Sequence, residues 1–532
     1  MENAEKANDE RTWRHPELLV MVGLGLGVAY ERLIYARPLG VSYPLWIGLC
    51  LGALFIMARR EEREVTKWGW GLSVPVFVLA ALVGLRSEPL TAFLGVILSL
   101  WWLGVLLRAL RPGRVLQWGW LDFAAALVLV PLEAWLRPWG PLGQAQARVT
   151  VGSDARQRLF AVMRGALLAF PLLVLFLVLF SSADPIFGSR VEQALKWLNL
   201  ERFFELLGRT TMILLAAIFS LGAMILAYRR STNAGPILTE SGISLPSLGL
   251  TEAVVVLGSV NLLFASFVVV QLTYFFGGEA AIGVEGYTYA EYARRGFGEL
   301  VVVSMMTLGL VTSLAVWVRN QRGGAWRAYQ ALGGVLVGLT GVILVSALQR
   351  LLLYEQAFGF TRLRTYSHAA IIWMGFLFAV FLVLLLLSRL SYFAPVLAAA
   401  TILYAVGIAA VNIDAFIVEQ NFARRDQIGE LDVDYLRTLS YDAVPALVSR
   451  VDQLEDNPKS HIVADLLCRR EALEQHWQES GWPARKWSHI RARSALRSME
   501  TEFDGYEINR ESGSMEVLLP SGDSVACWRV GF

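Results

Sequence analysis

The densest group of ionisable residues beside an apolar run is the segment TYAEYARRGFGEL, residues 288–300. On a helix, Glu291, Arg295 and Glu299 fall at positions i, i+4 and i+8 and form an acid–base–acid stripe. Charges are costly inside a bilayer, so ionisable residues at its edge are natural candidates for function. Either the stripe pairs internally, or Arg295 binds an anionic group of a lipid or solute. The structural alternative is a helix-end ion pair that anchors a span at the membrane interface.

A second basic group lies in the segment FGFTRLRTYSH, residues 358–368. Together with Arg295 and the amides of a helix start, Arg362 and Arg364 fit an anion site. The alternatives are solvated loop charges or partners for Glu355. His368 is interpreted as an interfacial hydrogen-bonding residue rather than a ligand or a proton relay.

Motifs that would carry catalysis or hold a cofactor are missing from the sequence. There is no P-loop, no HExxH and no GxSxG. The spacing of Cys50, Cys468 and Cys527 lacks a CxxC pair, which argues against a disulfide scaffold and a structural zinc site. We therefore predict no catalytic residue, no cofactor and no metal ion. The tail residues Trp477, Trp482 and Trp487 are expected to be core residues or surface anchors.

Hydropathy places these groups in a membrane protein. The 532 residues are 55% hydrophobic and 17% charged, and the mean hydropathy is +0.50. A net charge of +2 gives no basic field for nucleic acid, so no nucleic-acid partner is expected. A bilayer core about 30 Å thick needs about 20 apolar residues per helix. Twelve runs fit, at residues 18–36, 41–58, 70–86, 90–107, 117–136, 160–182, 210–228, 252–276, 297–318, 328–349, 367–388 and 393–413.

Small and polar residues inside the runs predict how the helices pack. Two pairs have GxxxG spacing, Gly23 with Gly27 and Gly334 with Gly338, which permits close helix contact. In the eighth run, Asn261, Ser266 and Gln271 are expected to make interhelical hydrogen bonds.

The distribution of basic residues suggests an orientation. With twelve crossings and a cytoplasmic N-terminus, 19 basic residues fall inside and 14 outside. If residues 117–136 dip in and return, the count becomes 21 inside and 12 outside, and eleven crossings fit better. The C-terminal region then lies outside the cytoplasm. The first sixteen residues form a polar segment, and the first run lacks a cleavage site, so it is read as an anchor.

The composition changes after residue 413. From Asp414 onward, fourteen basic and twenty-one acidic residues give a net charge of −7. We predict three regions: a polar segment 1–16, a transmembrane domain 17–413 and a soluble domain 414–532. The apolar positions Leu436, Leu439, Val444 and Leu447 indicate short packed helices. The turn residues 520–523 between two alternating runs predict a terminal β-hairpin.

Four blocks resemble motifs of a bacterial integral membrane family known only as a domain of unknown function. They are TYAEYARRGFGEL, FGFTRLRTYSHAAIIW, VNIDAFI and LDVDYLRTLSYDAVPAL, spread over residues 250–450. The resemblance implies a polytopic plasma-membrane protein with a helical tail, and it implies no activity. The fold class expected overall is an all-α polytopic membrane protein with 11–12 spans and a small, mainly helical soluble domain.

Three functions remain open on the sequence. The first is a membrane sensor or scaffold, whose acidic tail binds a protein partner. The second is a transporter or lipid-handling protein that binds an anionic lipid or solute near Glu291, Arg295, Glu299, Arg362 and Arg364. The third is a membrane enzyme acting on a lipid-linked substrate, with Glu291 or Glu299 as acid or base. We rank them in this order. A non-enzymatic function is therefore favoured over an enzymatic one.

Overall fold

The computed structural model describes residues 13–62, 67–110, 118–138, 200–228, 250–283, 297–318, 324–510 and 515–527, with isolated positions at 176–190 and at 237. Within these ranges the regular structure is helical apart from three short strands near the C-terminus. The helices are α1 (Pro16–Leu33), α2 (Ser42–Arg60), α3 (Lys67–Gly71), α4 (Ser73–Leu85), α5 (Pro89–Ala109), α6 (Trp120–Leu136), α7 (Leu200–Tyr228), α8 (Leu250–Gly283), α9 (Phe297–Val318), α10 (Gly324–Phe358), α11 (Arg362–Leu386), α12 (Phe393–Val411), α13 (Ile413–Ile428), α14 (Val433–Arg437), α15 (Val444–Arg450), α16 (Asp456–Ser480) and α17 (Trp487–Arg497).

Eight helices in the described part of the chain are long and apolar enough to cross a membrane. They are Ser42–Arg60, Pro89–Ala109, Phe204–Tyr228, Thr251–Gln271, Gly298–Ala315, Trp326–Phe358, Arg362–Leu386 and Leu390–Val411. Each coincides with a run predicted from the sequence, so the all-α polytopic class is confirmed. The third run is a shorter apolar helix, Gly69–Leu85. The sixth run, 160–182, lies outside the described residues, and whether residues 117–136 cross stays a prediction.

The chain forms two compact units, of which the first comprises Met1–Ala36, Gly48–Val65 and Pro131–Arg230. Here α1 packs along α7. A Cβ on Gly27 would lie 2.3 Å from the carbonyl oxygen of Ile213, and one on Gly23 would lie 3.3 Å from that of Ala217. Only hydrogen fits at Gly27, so close packing at the first GxxxG pair is confirmed. At the edge of this contact Arg209 forms an ion pair of 2.8 Å with Glu31.

The second unit comprises Arg37–Ile47, Thr66–Val130 and Ser231–Phe532. Its membrane part contains the hairpin α4–α5 and the helices α8 to α12. Interhelical hydrogen bonds occur as predicted: Asn261 donates to the carbonyl of Leu332 at 2.9 Å, and Gln271 accepts from Ser346 at 2.8 Å. Ser266 instead donates to a carbonyl of its own helix. A Cβ on Gly338 would meet no atom within 4 Å, so the second GxxxG pair does not mark a close contact.

The C-terminal region of this second unit, from α13 onward, is called the tail below. Leu436, Leu439, Val444 and Leu447 are buried in its core, as their spacing predicted. This core also includes Ile408 of α12, and Tyr366 of α11 packs against it. The tail is therefore continuous with the ends of two spans. The separate folding of residues 414–532 stays a prediction.

The tail ends in an antiparallel sheet of order β1 (Glu507–Asn509), β2 (Glu516–Leu518) and β3 (Ser524–Ala526). Val517 pairs with both Ile508 and Val525. The predicted hairpin is β2–β3, and it is confirmed. A disulfide joins Cys468 of α16 to Cys527. The cysteine spacing argued against a disulfide scaffold and did not predict this bond, which joins cysteines 59 residues apart.

Candidate functional site

Of the residues predicted to form an anion site, the structure describes Glu299, Arg362 and Arg364. Glu291 and Arg295 lie outside the described residues, and Glu299 is exposed in the first turn of α9. Arg364 donates to the carbonyls of Phe358 and Gly359. Its guanidinium also lies 3.9 Å from the centre of the Tyr354 ring. The anion site therefore stays a prediction. In the structure Arg362 pairs instead with a carboxylate of the tail.

Arg362 forms a two-point ion pair with Asp414. Its Nε and Nη2 atoms lie 2.7 Å and 2.5 Å from the two carboxylate oxygens. Asp414 lies in the first turn of α13 and is fully buried, and it also accepts from the backbone N–H of Ser440 at 2.7 Å. A buried carboxylate needs this complete set of donors, because an unpaired charge in a low dielectric is strongly destabilising. The pair thus fixes the start of span α11 to the start of the tail.

Asp442 forms a second buried attachment, at the turn between α4 and α5. It accepts from the N–H and the hydroxyl of Ser87 at 2.6 Å and 2.9 Å, and from the N–H of Glu88 at 3.0 Å. Arg86 completes the set with an ion pair of 3.2 Å. The side chain of Asp442 is 1% exposed. A tail carboxylate therefore caps the membrane hairpin α4–α5.

Two further side chains connect these attachments. Glu88 accepts from the amides of Leu90 and Thr91, which caps α5, and also from the hydroxyl of Tyr366 on α11. Asn412 has φ of 55° between α12 and α13 and donates to the carbonyl of Asp442 at 3.2 Å. Asparagine tolerates this left-handed conformation better than most residues. We call this group the tail junction; it consists of Arg86, Ser87, Glu88, Arg362, Tyr366, Asn412, Asp414, Ser440 and Asp442.

Three of the four sequence blocks meet at the tail junction. Arg362 and Tyr366 come from FGFTRLRTYSHAAIIW, Asn412 and Asp414 from VNIDAFI, and Asp442 from LDVDYLRTLSYDAVPAL. Sequence reasoning noted these blocks but missed their pairing and missed the turn 86–88 altogether. The only available signal was the concentration of short polar residues at the ends of apolar runs.

Beside the tail junction lies an apolar cavity of about 630 Å³ between α10, α11, α12 and the first turn of α13. Ile372 and Phe376 line it from α11, and Leu403 and Gly407 line it from α12. Ile413 and Phe416 of the tail complete the wall. The volume is within the usual range for ligand pockets, about 300–1,000 Å³. The cavity therefore adjoins both the spans and the tail.

The polar end of this cavity contains a buried acid. Glu355 of α10 is 2% exposed, and its Oε2 lies 3.4 Å from Nδ1 of His368 on α11. Its other oxygen, Oε1, has no hydrogen-bond partner within the described ranges. The interpretation of His368 as a hydrogen-bonding residue agrees with this contact. Burying a carboxylate oxygen that accepts no hydrogen bond is energetically costly. This end of the cavity therefore suits a ligand with an N–H or O–H group that donates a hydrogen bond to Oε1.

Buried titratable groups also occur inside the tail. Burial, together with the nearby Lys486 and His476, lowers the pKa of His489 to about 3. Burial likewise lowers the pKa of Lys486, and the charge of Asp442 acts in the opposite direction. The ring of His489 lies 5.0 Å from that of Tyr441. No group of three or more metal-binding side chains is present among the residues that the structure describes.

The three tail tryptophans differ in exposure. Trp477 is half-buried beneath the guanidinium groups of Arg485 and Arg493, at 4.7 Å and 4.4 Å. Trp482 and Trp487 are 53% and 55% exposed. The backbone of Arg485, between them, accepts from the N–H of Val41 at 2.9 Å, one residue before α2 begins. This bond holds the segment between the two exposed tryptophans at the start of α2.

A family model described as a domain of unknown function, DUF4153, matches residues 10–449. The match covers most of the chain and extends well beyond the region 250–450 in which the sequence blocks lie. It includes the whole tail junction and the cavity. No curated protein and no solved structure matches the chain.

Proposed function

The chain belongs to the DUF4153 family of unknown function, and we propose that it is a bacterial plasma-membrane sensor or scaffold that acts without a catalytic step of its own. In this proposal the spans hold the tail in a fixed position, where the tail binds a protein partner. One observation carries it: the tail junction attaches the tail to α4, α5, α11 and α12 through two buried carboxylates. A tail on a free linker would need no such attachment.

The tail junction also supports communication between spans and tail. Tyr366 of α11 bonds Glu88, whose N–H bonds Asp442 of the tail. A shift of α11 relative to α5 would change this chain of hydrogen bonds. Because packed cores and satisfied polar networks switch between discrete arrangements rather than deform smoothly, such a shift would reach the tail.

The disulfide supports an extracytoplasmic tail. Cys468 is buried, and its bond to Cys527 fixes β3 to α16. Disulfides persist outside the cytoplasm and are rare within it, because cytoplasmic thiols are kept reduced. The N-terminus is then assigned to the cytoplasm in the eleven-crossing arrangement.

Basic residues favour the same orientation. The short antiparallel connections of α4–α5 and α10–α11 place their turns on the tail side of the second unit. In the eleven-crossing arrangement, 21 basic residues of the spans and their connections fall on the cytoplasmic side and 12 on the other. This excess agrees with the positive-inside rule.

The charge of the tail indicates the kind of partner. Its net charge of −7 favours a protein with a basic surface, since complementary charge increases the rate of association. The surrounding bilayer is the second partner, through the spans and the exposed tryptophans.

The coupling between spans and tail is tested by Tyr366→Phe in the full chain. This change removes one hydroxyl donor from Glu88 and keeps the packing of the ring. Hydrogen bonds to charged groups contribute about 1.5–3 kcal/mol, so we expect amide exchange in residues 438–447 to become about tenfold faster. Tyr392→Phe, at an exposed tyrosine before α12, is the matched control. Unchanged amide exchange of residues 438–447 in Tyr366→Phe would show that the tail does not respond to its hydrogen-bonded contact with α11. The proposal would then fail.

A further inference from the structure

The apolar cavity beside the tail junction has an opening on the lipid side. Ile372, Phe376, Leu403 and Val411 line it and are each at least half exposed. They belong to α11 and α12, which are long and apolar enough to cross the membrane. In a bilayer these exposed faces contact acyl chains. A chain can therefore enter the cavity sideways, without passing through water.

The orientation of the cavity matches that of a membrane lipid. Glu355 and His368 lie at the end where α10 finishes and α11 begins, on the tail side. The remaining wall runs along α11 and α12 toward the membrane interior and is apolar, with Ile372, Phe376 and Leu403 as its lining. A lipid with its head group on the tail side would thus place its polar atoms beside Glu355.

We propose that this cavity binds one acyl chain of a membrane lipid whose head group donates a hydrogen bond to Oε1 of Glu355. Head groups with this chemistry include the ammonium of phosphatidylethanolamine and the hydroxyls of phosphatidylglycerol. Phosphatidylcholine has the same chains and phosphate but no N–H or O–H donor. Glu355 is 2% exposed, and within the described ranges His368 is the hydrogen-bonding partner of its carboxylate, while the charge of Arg364 also acts on it. A ligand donor would satisfy the oxygen that the protein leaves without a partner.

Bound lipid would contact the tail as well as the spans. Ile413 and Phe416 of α13 line the cavity, and Asp414 lies between them in the sequence. This inference goes beyond the proposed sensor or scaffold role, because the site binds lipid whether or not the tail has a protein partner. If both hold, the lipid is a ligand to which the tail can respond.

Gly407 offers a way to fill the cavity. A Cβ at this position would meet no atom within 4 Å, so Gly407→Trp places its ring in open space inside the cavity. Gly375 on α11 is equally unobstructed and does not line the cavity. Gly375→Trp is therefore the matched control, with the same added bulk outside the site.

The test uses the full chain in phosphatidylcholine nanodiscs with a small fraction of a lipid that carries a photoreactive group on one chain. Three probes have ethanolamine, glycerol or choline head groups. Crosslinks are located by mass spectrometry. We expect the peptide containing Leu403 and Gly407 to be labelled about tenfold more by the ethanolamine or the glycerol probe than by the choline probe. Glu355→Met should remove this preference.

Gly407→Trp should reduce labelling of that peptide by about tenfold, because burial of the chain provides most of the binding. Gly375→Trp should leave it unchanged. Equal labelling by all three head groups would overturn the role of Glu355, and full labelling of Gly407→Trp would overturn the site itself. Amide exchange of residues 438–447, measured in the same samples, reports tail attachment. If a variant loses labelling while exchange of residues 438–447 is unchanged, the result bears on the lipid site alone. The proposed function is tested separately by the Tyr366→Phe experiment.

Discussion

Arg362 and Asp414 lie 52 positions apart in the chain and form a two-point ion pair at 2.7 Å and 2.5 Å. The arginine begins α11, and the aspartate lies in the first turn of α13. A pair in this position holds the base of the tail against the end of a span. Removal of either partner leaves the other charge without its counter-charge; Asp414 is fully buried, whereas Arg362 is 24% exposed.

Asp414→Asn should detach the start of the tail. The neutral amide leaves the Arg362 guanidinium without its counter-charge; breaking a fully buried pair costs about 3–5 kcal/mol, and the cost here is smaller because Arg362 is 24% exposed. We expect a lower unfolding midpoint and faster amide exchange over residues 411–443. Glu419→Gln is the control, since Glu419 lies on the same helix and pairs with Arg450 in an exposed position. Equal effects of the two changes would contradict a special role for Asp414.

Acidification should weaken the tail through His489. Its pKa is about 3 in the folded protein and about 6.5 when exposed. Between these values the unfolded chain binds more protons, so stability falls as the pH is lowered, by up to about 1.4 kcal/mol per pH unit. His489→Gln should reduce this fall, measured as amide exchange of residues 487–497 from pH 7 to pH 4. His461→Gln is the control. A pH dependence identical in all three proteins would rule out His489 as its source.

Removal of the disulfide should destabilise the terminal sheet. The bond closes a loop between residues 59 positions apart, and loss of a native disulfide typically costs about 2–5 kcal/mol. Cys468→Ser combined with Cys527→Ser should therefore increase exchange in β2 and β3. Cys50→Ser, which removes a free cysteine from α2, should have no such effect. Protection of β3 equal to that of the unmodified protein would contradict the expectation.

Trp482 and Trp487 should reach the head-group region of the bilayer. Indole rings favour this level, and the adjacent Arg485 bonds the chain just before α2. Lipids brominated near the head group should quench tryptophan emission less in the double variant Trp482→Phe and Trp487→Phe than in the unmodified chain. Trp477→Phe, at a half-buried ring in the tail, provides the comparison. Quenching in the double variant equal to that in the unmodified chain would place the exposed tryptophans in water.

The features that the sequence predicted are those with a local cause. Hydropathy located eight spans, a turn cluster located the β2–β3 hairpin, and helical spacing identified Leu436 and Leu439 as buried. The tail junction was missed because Ser87 and Asp442 lie 355 positions apart, and no local pattern connects them. The disulfide and the cavity were missed for the same reason, since each depends on how distant helices pack. The two GxxxG pairs show that a local pattern does not determine helix packing, because the same spacing has a close contact at Gly27 and open space at Gly338.

The central claim, that the tail is held on the extracytoplasmic side of the membrane, is tested most directly by side-specific labelling. In a Cys50→Ser background, Ser521→Cys places a thiol in the exposed turn of the tail hairpin, and Arg389→Cys places one at the far end of α11. An impermeant maleimide should label Ser521→Cys in cells with an intact plasma membrane and an opened outer envelope, and should label Arg389→Cys only after the plasma membrane is permeabilised. The reverse pattern would place the tail in the cytoplasm and contradict the account.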